Sequence, residues 1–404
     1  MSSESQVLSA EQRLALRARN TVWLTFIVMG IVLIAWVPRI PEIKQALALS
    51  NSQFGLILVG GPLGLLAGAQ LSGRLIHQFG TRQIALLSGP ITSVSVLGLS
   101  SAHSKWALFG SLFVMGFGYS GIDNAMNTQA VAIERILNRK YMSSFHGCWS
   151  LGALFATLIG GFLSHKVSPH TNLLWISIFT FVAFPLLITT LLPKSLDGYR
   201  GHEEEMPAHL AWFGKGTGLI WLMGLGLIGC LLPEGSATDW AGILLHEHMH
   251  IATGLDATAY GCFTIAMIVG RFSGDWLMMK FSPQLVVKLG GYIGGAAFGL
   301  GIAIGVPLSS SHRILALVVV TAGFTIAGFG IAPMVPAFVS ATGRIPGIAP
   351  SISIARISVI SLFSYYVGPV VTGGLADAIN LPVALAFPCL VLILTGYLSK
   401  TIRS

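Results

Sequence analysis

The sequence predicts an all-α membrane protein with twelve transmembrane helices arranged as two pseudo-symmetric six-helix bundles. Three observations carry that expectation. The 404-residue chain is 53% hydrophobic and only 9% charged, with a mean hydropathy of +0.77, whereas soluble domains carry roughly 25% charged residues. Its apolar runs recur at bilayer length. A stretch at the end of the second run is echoed 202 positions later.

A hydrocarbon core about 30 Å thick needs about 20 apolar residues per helix. Suitable runs lie at 21–38, 54–73, 83–102, 106–133, 143–164, 172–192, 217–245, 257–279, 284–306, 314–340, 351–374 and 381–399. Residues 1–20 are polar and include Arg13, Arg17 and Arg19, so they read as an N-terminal tail leading into a retained first span, not as a cleavable signal. The hydrophilic stretch 193–216 falls after the sixth span and reads as a linker. It divides a bundle at 21–192 from a bundle at 217–399, with 400–404 as a short tail. If the N-terminus is cytoplasmic, only Arg39, Lys44, Lys105, Lys166 and Arg313 fall on the outer side. The other eighteen of the 23 basic residues lie inside, the asymmetry expected of cytoplasmic loops. The formal charge of +8 then reflects those loops, and no nucleic-acid partner is implied. Both termini are expected in the cytoplasm.

The repeat is carried by GAQLSGRLIHQFGTRQ from Gly68 and GRFSGDWLMMKFSPQ from Gly270. Both end on Phe followed by a small residue. Spans five and eleven also share a tail, LIGGFL and VTGGLA. The 48 glycines include runs at four-residue spacing (Gly60, Gly64, Gly68; Gly291, Gly295, Gly299), a pattern that lets helix backbones approach closely. Cys148, Cys230, Cys262 and Cys389 are scattered through apolar segments without metal or disulfide spacing, so they read as small buried side chains.

Twelve spans in two halves, with GRLIHQFGTR after the second, resemble the major facilitator superfamily. Gly73, Leu75, Gly80 and Arg82 match its loop signature, while His77, Gln78 and Thr81 depart from it. DNxxN in span four, FHGCWSLG at the start of span five and PEGSATDW in span seven are similar to a bacterial rhizopine-transport-like subgroup, and more distantly to fucose-permease-type porters. Two family features are missing. Leu112 stands where the span-four arginine would be, and span five has Gly160-Gly161 where antiporters carry Gly-Pro. The resemblance implies a secondary transporter that works by rocking two bundles about a midplane site. It also makes Arg82 and Arg135 similar to the family's gate-region cations.

An ionised carboxylate in a bilayer costs at least ~2.5 kcal/mol on insertion scales, so acids within spans mark wet cavities, ion pairs or proton sites. Asp123, Glu234 and Asp239 qualify as proton-coupling candidates. Tyr119, Asp123 and Asn127 share a face of span four at i, i+4, i+8, with Asn124 beside them and Glu134 continuing the stripe. The bland alternative is an interhelical hydrogen-bond ladder. Pro233 removes a backbone donor beside Glu234 and predicts a break near mid-membrane. Glu234 and Asp239 sit about 140° apart on a helix, so they need not share a pocket, and Glu234 is the favoured central residue.

Substrate contacts are expected from Tyr119, Asn124, Asn127, Trp36, His146, Trp149, Trp240, Tyr365 and Tyr366. Trp36 and Trp240 are equally readable as interfacial belt residues. Arg271 and Asp275, at i, i+4, predict a local ion pair at the inner end of span eight, of structural or gating use. The absence of an intramembrane Lys/Arg cluster argues against multiply anionic substrates.

His246, Glu247 and His250 satisfy H-E-x-x-H, the zinc-protease motif, and so make a membrane metalloprotease the remote alternative. The motif lies in an outer loop with no evident third ligand, so neither metal catalysis nor any cofactor is expected, and adventitious metal binding is the milder alternative. The reading is therefore not an enzyme, and not a receptor, which would need an added soluble domain. It is a proton-coupled symporter of a small polar solute (a sugar, cyclitol or related amine) acting as a monomer in the bacterial inner membrane. A proton-driven exporter of metabolites or drugs is the alternative.

Overall fold

A computed structural model describes residues 9–139, 141–197, 217–342, 345 and 350–402. The side chains of His77, Ser143, Asp275 and several residues between 350 and 358 lie outside the described set. So do linker residues 198–216 and the extreme tails. Among the described residues, all regular structure is helical.

The twelve spans are α1 (Ala10–Ile34), α2 (Gly60–Phe79), α3 (Thr81–Ser100), α4 (Lys105–Leu137), α5 (Met142–Leu163), α6 (Pro169–Ile188), α7 (Gly218–Ile243), α8 (Thr258–Phe281), α9 (Pro283–Leu308), α10 (Arg313–Ile331), α11 (Phe363–Ala378) and α12 (Ala386–Leu398). Short helices at Asn51–Leu58, Met334–Thr342, Pro350–Ser361 and Leu381–Ala384 extend α2, α10, α11 and α12. Helix starts follow side-chain capping. Ser9, Ser104 and Ser168 accept the amide hydrogens of Gln12, Ala107 and Thr171. Helix α1 begins at Ala10, so it is already helical within the polar tail. Ten helical stretches are long and apolar enough to cross a bilayer. Helices α4 and α8, which bear the Asp123 stripe and Arg271, are the two spans outside that set.

The internal repeat is exact in register. Helix α2 ends at Phe79 and α8 at Phe281, and the residues that follow, Gly80 and Ser282, adopt the same rare backbone conformation (φ 86°, ψ 161° and φ 70°, ψ 146°). Only glycine reaches this region without strain. The first half carries glycine there, and the second holds a serine in the same turn.

Small residues pack as their spacing implies. A Cβ on Gly60, Gly64 or Gly68 would run into the backbone carbonyls of Phe109, Phe113 and Phe117 on α4. Gly291 and Gly295 of α9 press in the same way on α12, whereas Gly299 has ordinary room.

The two bundles meet at the end away from the chain termini, here called the far end. There Lys44 Nζ donates to both Glu247 oxygens (2.7 and 2.9 Å). The amides of Asn51 and Ser52 each donate to Asp377 (2.8 Å both). Nearer the middle, the Tyr366 hydroxyl donates to Pro62 O (3.2 Å) and Arg271 Nη1 to Ser150 Oγ (3.1 Å).

The expected break at Pro233 does not form, and α7 is helical through it. A single proline leaves one carbonyl without its donor, which a long, tightly packed helix tolerates. The irregularity comes later, as a π turn at Leu244–His248.

Candidate functional site

Between the bundles lies a cavity of about 410 Å³. Helix α7 contributes Glu234, Asp239 and Trp240, α8 contributes Tyr260 and Arg271, and α11 contributes Tyr365. The N-terminal half supplies Trp36, Tyr119 of α4, and Trp149 and Ser150 of α5. The walls are thus aromatic, with one guanidinium and two carboxylates.

Glu234 and Asp239 both face this space, because the cavity is wide enough to wrap around α7. Their 140° separation does not divide them. Arg271 Nη2 approaches Glu234 Oε1 at 3.5 Å, while Asp239 has no hydrogen bond or ion pair among the described residues. Arg271 is therefore a cavity residue facing α7 and α5. The side chain of Asp275, its expected partner, lies outside the described residues.

Trp36 and Trp240 are buried, at 5% and 0% exposure, so neither is a belt residue. Trp106, Trp175 and Trp276 occupy exposed positions instead. The Trp240 ring packs edge-on against Phe54 (5.6 Å), and its indole N–H is buried without a hydrogen-bond partner.

The span-four stripe divides. Tyr119 lines the cavity, whereas Asp123, Asn124 and Asn127 do not. Asn124 donates to Ser72 Oγ of α2 (2.7 Å), and Asn127 donates to the Asp123 carbonyl within its own helix (2.9 Å). Asn124 thus makes the interhelical bond of the bland reading. Asp123 is half-buried one turn from Tyr119 toward the termini end. Glu134 accepts the amides of Tyr141 and Met142 at the start of α5, which takes it out of any transport stripe. His146 is exposed beside Phe26 (5.1 Å), and Tyr366 is spent on Pro62.

The loop after α2 holds a contact that sequence reasoning missed. Asp197, from the start of the linker, accepts both the amide and the hydroxyl of Thr81 (3.0 Å each). Fully buried Gln129 of α4 donates to Thr81 Oγ1 (2.7 Å) and to Leu192 O (3.0 Å), and it accepts from Leu192 N (3.0 Å). Arg82 donates to the Thr189 carbonyl, Arg135 is exposed, and Gly73 borders open space. Gln129 is a third side-chain amide in a membrane span, two residues past Asn127, a signal that was available.

The H-E-x-x-H residues part company. His246 pairs with Asp256 (Nδ1–Oδ2, 3.1 Å) and Glu247 with Lys44. Among the described residues no cluster of three or more His, Cys, Asp or Glu side chains is placed to hold a metal. Burial pushes the Asp256 carboxyl up from its ordinary range. His246, Glu247 and His248 fall in the π turn, whereas His250, the motif's second histidine, lies beyond it with a left-handed backbone (φ 51°).

Two six-helix halves around a central cavity, joined at the far end, define a multi-pass membrane carrier of small organic solutes. The chain belongs to the Major Facilitator Superfamily, whose family model matches residues 22–352. It is similar to an uncharacterised MFS-type transporter of Yersinia pestis (29% identity, covering 92% of this chain and 91% of that one) and to membrane protein MosC of Rhizobium meliloti (26%, 90% and 84%). It is also similar to a gallate transporter of Pseudomonas putida (24%, 79% and 78%). Among solved structures the nucleoside transporter NupG superposes with a TM-score of 0.73 at 12% identity, covering 96% of this chain and 98% of that one. The family and the relatives named as transporters mark the chain as a transporter, not an enzyme.

Proposed function

We propose that the protein is a proton-coupled symporter that brings a small, ring-bearing polar solute across the bacterial inner membrane by alternating access. The observation that carries this reading is the cavity's charge. Two acids, Glu234 and Asp239, face one cation, Arg271. A carboxylate without a cation inside a membrane is costly, and taking up a proton removes that cost. A cavity carboxyl that loads a proton on one face and releases it on the other couples solute movement to the gradient. Each charge moved across the potential adds ~2.3 kcal/mol per 100 mV.

In this reading the bundles at 21–192 and 217–399 rock about the cavity, both termini are cytoplasmic and the far end is periplasmic. The distribution of basic residues and the bacterial relatives support that orientation. The lone Arg271 admits at most one negative charge on the solute. This extends the sugars, cyclitols and amines of the sequence reading toward ring acids, the class to which the gallate carried by one relative belongs. A monomer completes the cycle, since both halves of the cavity come from one chain.

The test uses proteoliposomes under an imposed pH gradient, with solutes first selected by their stabilisation of the purified protein. Wild type is compared with Asp123→Asn, Glu234→Gln and Asp239→Asn. Loss of gradient-driven accumulation in the cavity variants is expected. Full uptake in all three variants overturns the coupling assignment.

A further inference from the structure

The protein's buried cations are not used alike. Arg39 is fully buried with each of its three guanidinium nitrogens engaged, Nε on Asn172 (3.1 Å), Nη1 on Glu42 (2.7 Å) and Nη2 on the Val167 carbonyl (2.8 Å). Lys44 is buried and holds both oxygens of Glu247. Arg271 differs. Among the described residues it makes one hydrogen bond, to the neutral Ser150 hydroxyl, and its approach to Glu234 at 3.5 Å is too long for a charge-assisted bond, which runs about 2.7–2.9 Å. Its side chain is 42% exposed within the cavity. A guanidinium carries five N–H donors in a planar fork shaped for a carboxylate, so most of this one's capacity is turned toward the empty space. Flat aromatic walls and a volume of about 410 Å³ complete the outline of the missing partner.

We infer that the cavity binds a ring-bearing monocarboxylate whose carboxylate takes the Arg271 fork in place of Glu234. This rests on the transport reading above and names its substrate class. Glu234 then leaves the ion pair as the neutral acid, with its proton drawn from the compartment to which the cavity is open. One anion and one proton enter together, so the loaded cavity keeps its charge. The groups facing Glu234 are Arg271 and Tyr260 of α8, Tyr365 of α11, and Cys230 on its own helix. His146 of α5 faces Arg271. Arg271 is the only fixed cation among them, and so it is the group for which the two carboxylates compete.

Equilibrium binding to the purified full chain tests this with probes of matched shape and different charge: benzoate, benzamide and benzylamine, with myo-inositol as a neutral polyol. Calorimetric titration is expected to show benzoate binding best, and more tightly at pH 6 than at pH 8. Arg271→Gln weakens benzoate about tenfold or more, the worth of a charged hydrogen bond, and Arg271→Lys falls between. Glu234→Gln tightens benzoate and flattens its pH dependence, because the competing carboxylate is gone. Melting temperatures of each variant report folding separately. Benzoate that binds no better than benzamide or inositol, or benzylamine that binds best, overturns the inference. So does a Glu234→Gln variant that loses benzoate. Gradient-driven uptake can fail while this binding pattern holds, and the reverse, so the two readings fail separately.

Discussion

Asp377 offers a direct measure of what holds the far end shut. Its carboxylate accepts the amides of Asn51 and Ser52, each at 2.8 Å, across the boundary between the bundles. Those amides open the helix Asn51–Leu58, where a negative charge is also favoured by the helix dipole. Hydrogen bonds to a charged group are worth about 1.5–3 kcal/mol each. Asp377 is exposed, and solvent screening cuts exposed charge interactions well below that. Taking about half the lower value for each bond leaves about 1.5 kcal/mol for the pair, roughly a tenfold change in an equilibrium. Asp377→Ala should therefore raise the ratio of far-end-open to far-end-closed molecules about tenfold. Glu247→Ala, which removes the Lys44 clasp, should add to it nearly independently. Nitroxides at His170→Cys and Arg313→Cys, at the far ends of α6 and α10, report the separation by double electron–electron resonance once Cys148 and Cys262 are replaced. Distance distributions that stay unchanged in both the single and the double variant refute this account of the closure.

Two further expectations concern stability in detergent. Ser282→Gly should raise the melting temperature, gaining about 1 kcal/mol by relieving a backbone conformation that only glycine adopts freely, and a lower melting temperature would count against strain at that turn. Gln129→Leu should cost about 2 kcal/mol, because it strands the buried amide and carbonyl of Leu192, while the Thr81 hydroxyl keeps its bond to Asp197. Thermal unfolding of variant and wild type measures it, and an unchanged midpoint would show that water replaces the side chain.

Much of the architecture was legible because bilayer length and apolar runs are strong, local signals. The repeat between Gly68 and Gly270 even located the paired turns at Gly80 and Ser282. The site was legible only in part. Glu234, Asp239, Tyr119 and the cavity tryptophans were named, yet the approach of Arg271 to Glu234 and Ser150 was not. Spacing along one helix suggests Asp275, whereas bundle packing brings Glu234 from α7 and Ser150 from α5, a placement that no periodicity encodes. The same limit explains Trp36 and Trp240, whose sequence context at the ends of apolar runs fits a belt while their packing buries them. Asp123 and Asn124 share a helix with Tyr119, but only the tertiary arrangement decides which of them sees the cavity and which reaches Ser72. Asp197 reaches Thr81 from the far side of four helices, beyond any local pattern.

Helix α4 poses a problem for biosynthesis. It is 33 residues long and carries Asp123, Asn124, Asn127 and Gln129, so the insertion machinery would be slow to release it alone into lipid. Helix α2 is already in place when α4 emerges, with its glycine face and the Ser72 hydroxyl ready to receive it. A bulkier residue at Gly64 should therefore be felt first as chains degraded during manufacture, well before any finished molecule could be found wanting as a carrier.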